Sequence, residues 1–159
     1  MEFEEPGSIS DTWSTDHPGP FLVVGHNAQP EAMSALATAV GLARRLGAFI
    51  HVVHAMTMED FPIDPDSLYW EHQGDQELAR QREMAENYLN ETDVRWAYHM
   101  IGRDPFVALH DAAERCDALM IIVGTRRAWL THLLRGSVAH QLERNAGRPV
   151  LLVPTPQQR

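Results

Sequence analysis

A glycine-bounded segment rich in arginine is the part of the sequence whose residue types and spacing best fit a chemical role. A run of buried-type residues, 119–123, ends at Gly124, and Gly136 is followed by Ser137 and an amphipathic segment. A Gly-Ser pair at a helix start supplies free backbone N–H groups, a hydroxyl and the positive end of the helix dipole, all of which favour phosphate. The basic residues between the glycines are Arg126, Arg127 and Arg135.

Two interpretations of this segment remain open at this point. In the first, the two glycine turns and the basic loop cradle the phosphates of a nucleotide. In the second, the glycines only permit tight turns and the arginines form a solvated loop. The segment alone favours neither.

The elements that must position this loop alternate between apolar strands and amphipathic helices. The predicted strands are residues 21–26, 48–56, 94–100, 119–123 and 149–153. The predicted helices are residues 30–46, 69–90, 105–116 and 137–145. Such alternation predicts an α/β fold, a parallel sheet with right-handed crossovers and helices on both faces. Ligands of such sheets bind at the carboxyl ends of the strands, so the turn at residues 27–29 and the loop at residues 124–136 are the candidate site.

Composition narrows the class of protein. A chain of 159 residues predicts one domain. The formal charge of −9 argues against general binding to nucleic acid or to an anionic membrane.

The single cysteine, Cys116, excludes an internal disulfide framework and is interpreted as a small packing residue. The acidic N-terminus has no apolar stretch typical of a signal peptide, so a cytoplasmic protein is expected. Residues 1–19 and 156–159 are interpreted as polar tails, the first of them mobile. Two interpretations of Trp13 are open: it packs on the domain or on a partner, or it is an exposed aromatic side chain in the mobile tail.

Four segments together resemble the universal stress protein family, over residues 20–155. They are FLVVGHNAQPEA, LARRLGAFIHVVHAM, GRDPFVALHDAAERCDALMIIVGTRR and LLRGSVAHQLERNAGRPVLLVP. The resemblance implies a nucleotide-binding type of α/β domain with five strands in the order 3-2-1-4-5. It also implies a role in the stress response and a homodimer through the last strand, Val150 to Val153.

Family members that bind ATP resemble the pattern G-x2-G-x9-G-[ST] after strand four. Gly124, Gly136 and Ser137 match it, but Arg127 replaces the second glycine and the interval between the outer glycines is one residue short. After strand one, Asn27 replaces the usual aspartate, so no carboxylate is available there for a metal ion. The resemblance places the nucleotide site on His26, Asn27, Ala28, Val52, Gly102, Gly124, Arg126, Arg127, Gly136, Ser137 and Val138.

The expected function is therefore a nucleotide-binding module with a degraded site for ATP or another adenine nucleotide. One alternative is a member that binds no ATP and acts through protein partners. A less favoured alternative is a small enzyme acting on an adenylated substrate, because no catalytic acid, base or nucleophile is identifiable. His26 and His54 end neighbouring strands, but no third ligand accompanies them, so no metal site is predicted.

Overall fold

The structure, a computed structural model, describes residues 13–27, 29–56, 70–125, 141, 142, 144 and 146–155. For residues 70–73 it describes the backbone only. The strands are β1 (Phe21–Gly25), β2 (Phe49–Ala55), β3 (Trp96–Ile101), β4 (Met120–Thr125) and β5 (Val150–Pro154). The helices are α1 (Pro30–Leu46), α2 (Trp70–Asn90) and α3 (Pro105–Arg115). Residues 141, 142 and 144 are helical, and the rest of the fourth predicted helix lies outside the described residues.

All five strands are parallel and lie in the order β3-β2-β1-β4-β5, which confirms the predicted topology. β1 lies between β2 and β4, so the order in which strands are added to the sheet reverses at β1. The carboxyl ends of β1 and β4 therefore form the edge at which ligands of such sheets bind.

The sheet separates two apolar cores because successive strand side chains point to opposite faces. Leu22 and Val24 of β1 face α1 and α2, whereas Val23 faces α3. β1 is consequently buried on both sides, as expected of a central parallel strand. Within the described residues, no helix is long and apolar enough to cross a bilayer.

Local sequence signals set the helix ends that the sequence predicts. Pro30 opens α1, and Gly47 closes it in the left-handed region at φ 63°. Asp104 caps α3 by accepting hydrogen bonds from the amides of Phe106 and Val107 at 3.0 and 3.3 Å. These residues set where α1 begins and ends and where α3 begins.

Residues 13–19 lie against the domain, although the sequence predicts a mobile tail up to residue 19. Trp13 is half-buried and packs its ring on His99, and His17 binds the carbonyl oxygen of Gly47. Stacking on the sheet offsets the entropy of ordering this segment. The rest of the predicted tails, residues 1–12 and 156–159, lies outside the described residues.

Candidate functional site

Gly124 brings the end of β4 into direct contact with the first turn of α1. A Cβ built on Gly124 would lie 2.4 Å from the carbonyl oxygen of Glu31 and 2.6 Å from its Cβ. No side chain fits in that space, so glycine is required for packing at this position. The close approach also places the N-terminus of α1 at the carboxyl end of β4, where the helix dipole favours an anion.

Asn27 already makes a local hydrogen bond in the turn between β1 and α1. Its Oδ1 accepts a hydrogen bond from the amide of Gln29 at 2.9 Å, and its side chain is exposed. This Asx turn holds the residue that precedes α1. The carboxamide is neutral, so it can still donate to a ligand through its NH2 group but brings no charge to the edge.

His26 turns into the protein beneath α2. It is 6% exposed, and its ring centroid lies 6.1 Å from that of His54 and 5.9 Å from that of Tyr98. Burial lowers the pKa of His26 to about 4, with a further lowering by His54 that the backbone of Gln81 opposes. His26 is therefore neutral at physiological pH.

His54 and Tyr98 form a buried polar pair beside His26 that the sequence does not predict. His54 Nδ1 and the Tyr98 hydroxyl lie 3.1 Å apart, and the guanidinium carbon of Arg82 lies 5.3 Å from the centre of the Tyr98 ring. The alternation of side chains along β3 places Tyr98 on the face of His54, but only the register of β2 with β3 brings them together. Among the described residues, no group of three or more His, Cys, Asp or Glu side chains is arranged to hold a metal ion.

The predicted apolar positions of the site lie at different depths. Val52 is fully buried in the core, opposite Val24 of β1 and Tyr98 of β3. Gly102 lies in the turn after β3, where an added Cβ would make an ordinary contact of 3.7 Å with the Cε of Met56. The roles assigned to both by resemblance stay predictions.

The basic half of the predicted site falls outside the described residues. It comprises Ala28, Arg126, Arg127, Gly136, Ser137 and Val138. The described residues of the site are His26, Asn27, Val52, Gly102 and Gly124, of which His26, Asn27 and Gly124 lie at the carboxyl ends of β1 and β4. Asn27 is exposed and neutral at the positive end of α1, whereas His26 is buried.

Cys116 does not contribute a nucleophile to this edge. It is buried at the C-terminal end of α3, and its Sγ donates to the carbonyl oxygen of Ala112 at 3.2 Å. Burial raises the pKa of the thiol to about 11. Its predicted role in packing agrees with this environment.

Comparison with known proteins identifies a family for this chain. The family model described as the universal stress protein family matches residues 22–154. A universal stress protein of Methanocaldococcus jannaschii is 26% identical over 143 residues, which cover 85% of this chain and 82% of the relative.

Two solved structures share the fold at low sequence identity. The universal stress protein of Archaeoglobus fulgidus in complex with dAMP has a TM-score of 0.61 and 22% identity, over 84% of this chain and 96% of its own. A universal stress family protein of Arabidopsis thaliana with AMP bound has a TM-score of 0.65 and 15% identity, over 86% of this chain and 92% of its own. The family model spans nearly the whole domain, and the sheet has the strand order expected from the resemblance. This chain therefore belongs to the universal stress protein family.

Proposed function

We propose that the protein is a cytoplasmic, homodimeric stress-response module that binds an adenine nucleotide weakly and has no dedicated catalytic activity. The observation that carries the proposal is the meeting of β1 and β4 at their carboxyl ends, with Gly124 packed under the N-terminus of α1. Related structures of the same fold hold AMP or dAMP, which supports an adenine nucleotide as the ligand.

The neutral character of Asn27 argues for weak binding. Its Oδ1 already accepts the amide of Gln29, and its carboxamide brings no charge for a magnesium ion. Losing one charged hydrogen bond costs about 1.5–3 kcal/mol, which is roughly ten- to a hundredfold in affinity. A nucleotide should therefore bind with little dependence on magnesium.

The loop after β4 also departs from the sequence pattern of nucleotide-binding relatives. Arg127 occupies a position at which glycine would let the backbone approach phosphate, and the loop is one residue short. The neighbouring Arg126 and Arg135 add positive charge that partly offsets these losses. The balance predicts affinity near the millimolar range rather than the micromolar range.

Restoring the carboxylate tests the placement of the site. Asn27→Asp should tighten ATP binding in the presence of magnesium by about tenfold or more, because it supplies a charged ligand at the edge of the sheet. Isothermal titration calorimetry measures the change. Asn87→Asp is the matched control, since Asn87 is exposed on α2 and gains the same charge away from the site. Equal affinities for the two variants would place the nucleotide elsewhere.

A second candidate function is a family member that binds no nucleotide and acts through protein partners. It is favoured by the packing of Gly124 against Glu31 and by the use of Asn27 within its own turn. Both residues then have structural roles that need no ligand. Saturation-transfer NMR with millimolar AMP separates the candidates, because transfer from the protein to the adenine protons is expected only for the first.

A further inference from the structure

Trp13 closes over a pair of buried histidines on the α3 face of the sheet. Its ring stacks on His99 with centroids 3.8 Å apart and planes inclined by 5°, and it lies 4.8 Å from the ring of His51. His51 and His99 are 0% and 5% exposed. The N-terminal segment therefore covers two titratable groups that the proposed function does not use.

The two histidines are joined by a hydrogen bond that holds a single hydrogen between them. His51 Nδ1 and His99 Nε2 lie 2.9 Å apart, so one ring donates its hydrogen and the other accepts it. The remaining nitrogen of His51, Nε2, is buried, and the Ser14 backbone of the covering segment is the one group that favours the charged form of this ring. Charging both rings would set two N–H groups against each other and leave a buried charge uncompensated.

A second contact anchors the same segment near its attachment to β1. His17 Nε2 donates to the carbonyl oxygen of Gly47 at 2.9 Å, and its ring lies against those of Phe21 and Phe49. A Cβ on Gly19 would lie within 1.9 Å of that carbonyl oxygen, so the chain can pass only as glycine. This anchor holds residues 17–19 in place beside β1.

The surroundings of the pair oppose positive charge. Burial lowers the pKa of His51 to about 4, against a smaller opposing effect of the Ser14 backbone. Burial, then His51 and then Arg82 lower the pKa of His99 to about 3. Of the other charged groups nearby, Asp16 of the segment is exposed, and Arg95 has its guanidinium carbon 5.9 Å from the centre of the Phe49 ring.

We propose that residues 13–16 form an acid-sensitive latch, held against the sheet by the neutral His51–His99 pair and released when the pair is protonated. Release uncovers the rings of His51 and His99. Because the pKa of each ring is lowered from 6.5 in the covered state, a fall in pH below 6.5 favours the open state. Below that pH, each uncovered histidine shifts the equilibrium towards release by up to tenfold per pH unit.

Fluorine NMR of the full chain labelled with 5-fluorotryptophan tests this proposal. The Trp13 signal is assigned by its loss in Trp13→Phe and is followed from pH 7.5 to 4.5. The expected result is a docked signal at pH 7.5 that is replaced below about pH 6 by one at the position of free 5-fluorotryptophan. The Trp96 signal, from β3, should keep its folded position over the same range.

Substitution of the histidines tests their role. His99→Gln and His51→Gln should each reduce the pH dependence of the docked-to-open ratio by up to tenfold per pH unit. His110→Gln, in α3, is the control and should retain the wild-type dependence. If one variant is open at every pH, that ring is needed for docking, which supports the proposal, and the slope is taken from the other variant. A Trp13 signal unchanged down to pH 4.5, a wild-type slope in both variants, or joint loss of the Trp96 signal would overturn the latch.

Discussion

The carbonyl oxygen of Glu31 lies 2.4 Å from the position that a Cβ on Gly124 would occupy. This contact joins the first turn of α1 to the end of β4, and it sets the shape of the edge at which the nucleotide site is proposed. It also gives Gly124 a structural role that is separate from any role in binding.

Gly124→Ala should therefore destabilise the protein by about 1–3 kcal/mol, because the added methyl group meets backbone that must shift. Urea unfolding followed by circular dichroism measures the loss. Gly41→Ala is the matched control, since Gly41 lies inside α1 with nothing within 4 Å of an added Cβ. That change should stabilise by about 0.5–1 kcal/mol. Equal stabilities of the two variants would contradict the packing described here.

The stability of the fold should fall in mild acid because His26 is buried in its neutral form. Its pKa is lowered from 6.5 to about 4, so the unfolded chain binds the proton first as the pH falls. The stabilising contribution is fully present above pH 6.5 and is lost between 6.5 and about 4, at up to about 1.4 kcal/mol per pH unit. Urea titrations at pH 7.5, 6.5 and 5.5 should show a shallower loss for His26→Gln than for His110→Gln.

The outer edge of β5 should form the contact between two copies of the chain. Within the described residues β5 pairs with β4 alone, and its apolar side chains Val150, Leu151 and Leu152 are only half-buried. Exposed strand edges of this kind are normally paired or covered. Light scattering should show a dimer that Leu151→Arg converts to a monomer, whereas Leu46→Arg, at an exposed leucine of α1, should not. A wild-type monomer at micromolar concentration would contradict the prediction.

Cys116 should be unreactive in the native protein. It is the only cysteine of the chain, so a thiol reagent reports on it alone. Because burial raises its pKa from 9.0 to about 11, the thiolate fraction at neutral pH falls by about a hundredfold. Reaction with a chromogenic disulfide should be slow in buffer and rapid in urea. Rapid native labelling would show that the end of α3 opens readily.

The parts of the fold set by local signals were predictable from the sequence. The predicted starts of α1 and α3 at residues 30 and 105 and the predicted end of α1 at residue 46 agree with the structure, and the alternation of strands and helices predicted the parallel sheet. The contacts made between distant segments were not predictable. The Gly124–Glu31 contact, the His54–Tyr98 pair and the stacking of Trp13 on His99 depend on strand register and on where a helix crosses the sheet.

Calorimetric titration of the wild-type protein with ATP, with and without magnesium, distinguishes a degraded nucleotide site from an intact site and from no site. We expect binding with a dissociation constant on the order of 0.1–1 mM, nearly unchanged by magnesium and abolished by Gly136→Asp, which places a carboxylate where phosphate is expected. Submicromolar binding that requires magnesium would contradict the degraded site, and no detectable heat at millimolar ATP would contradict nucleotide binding itself.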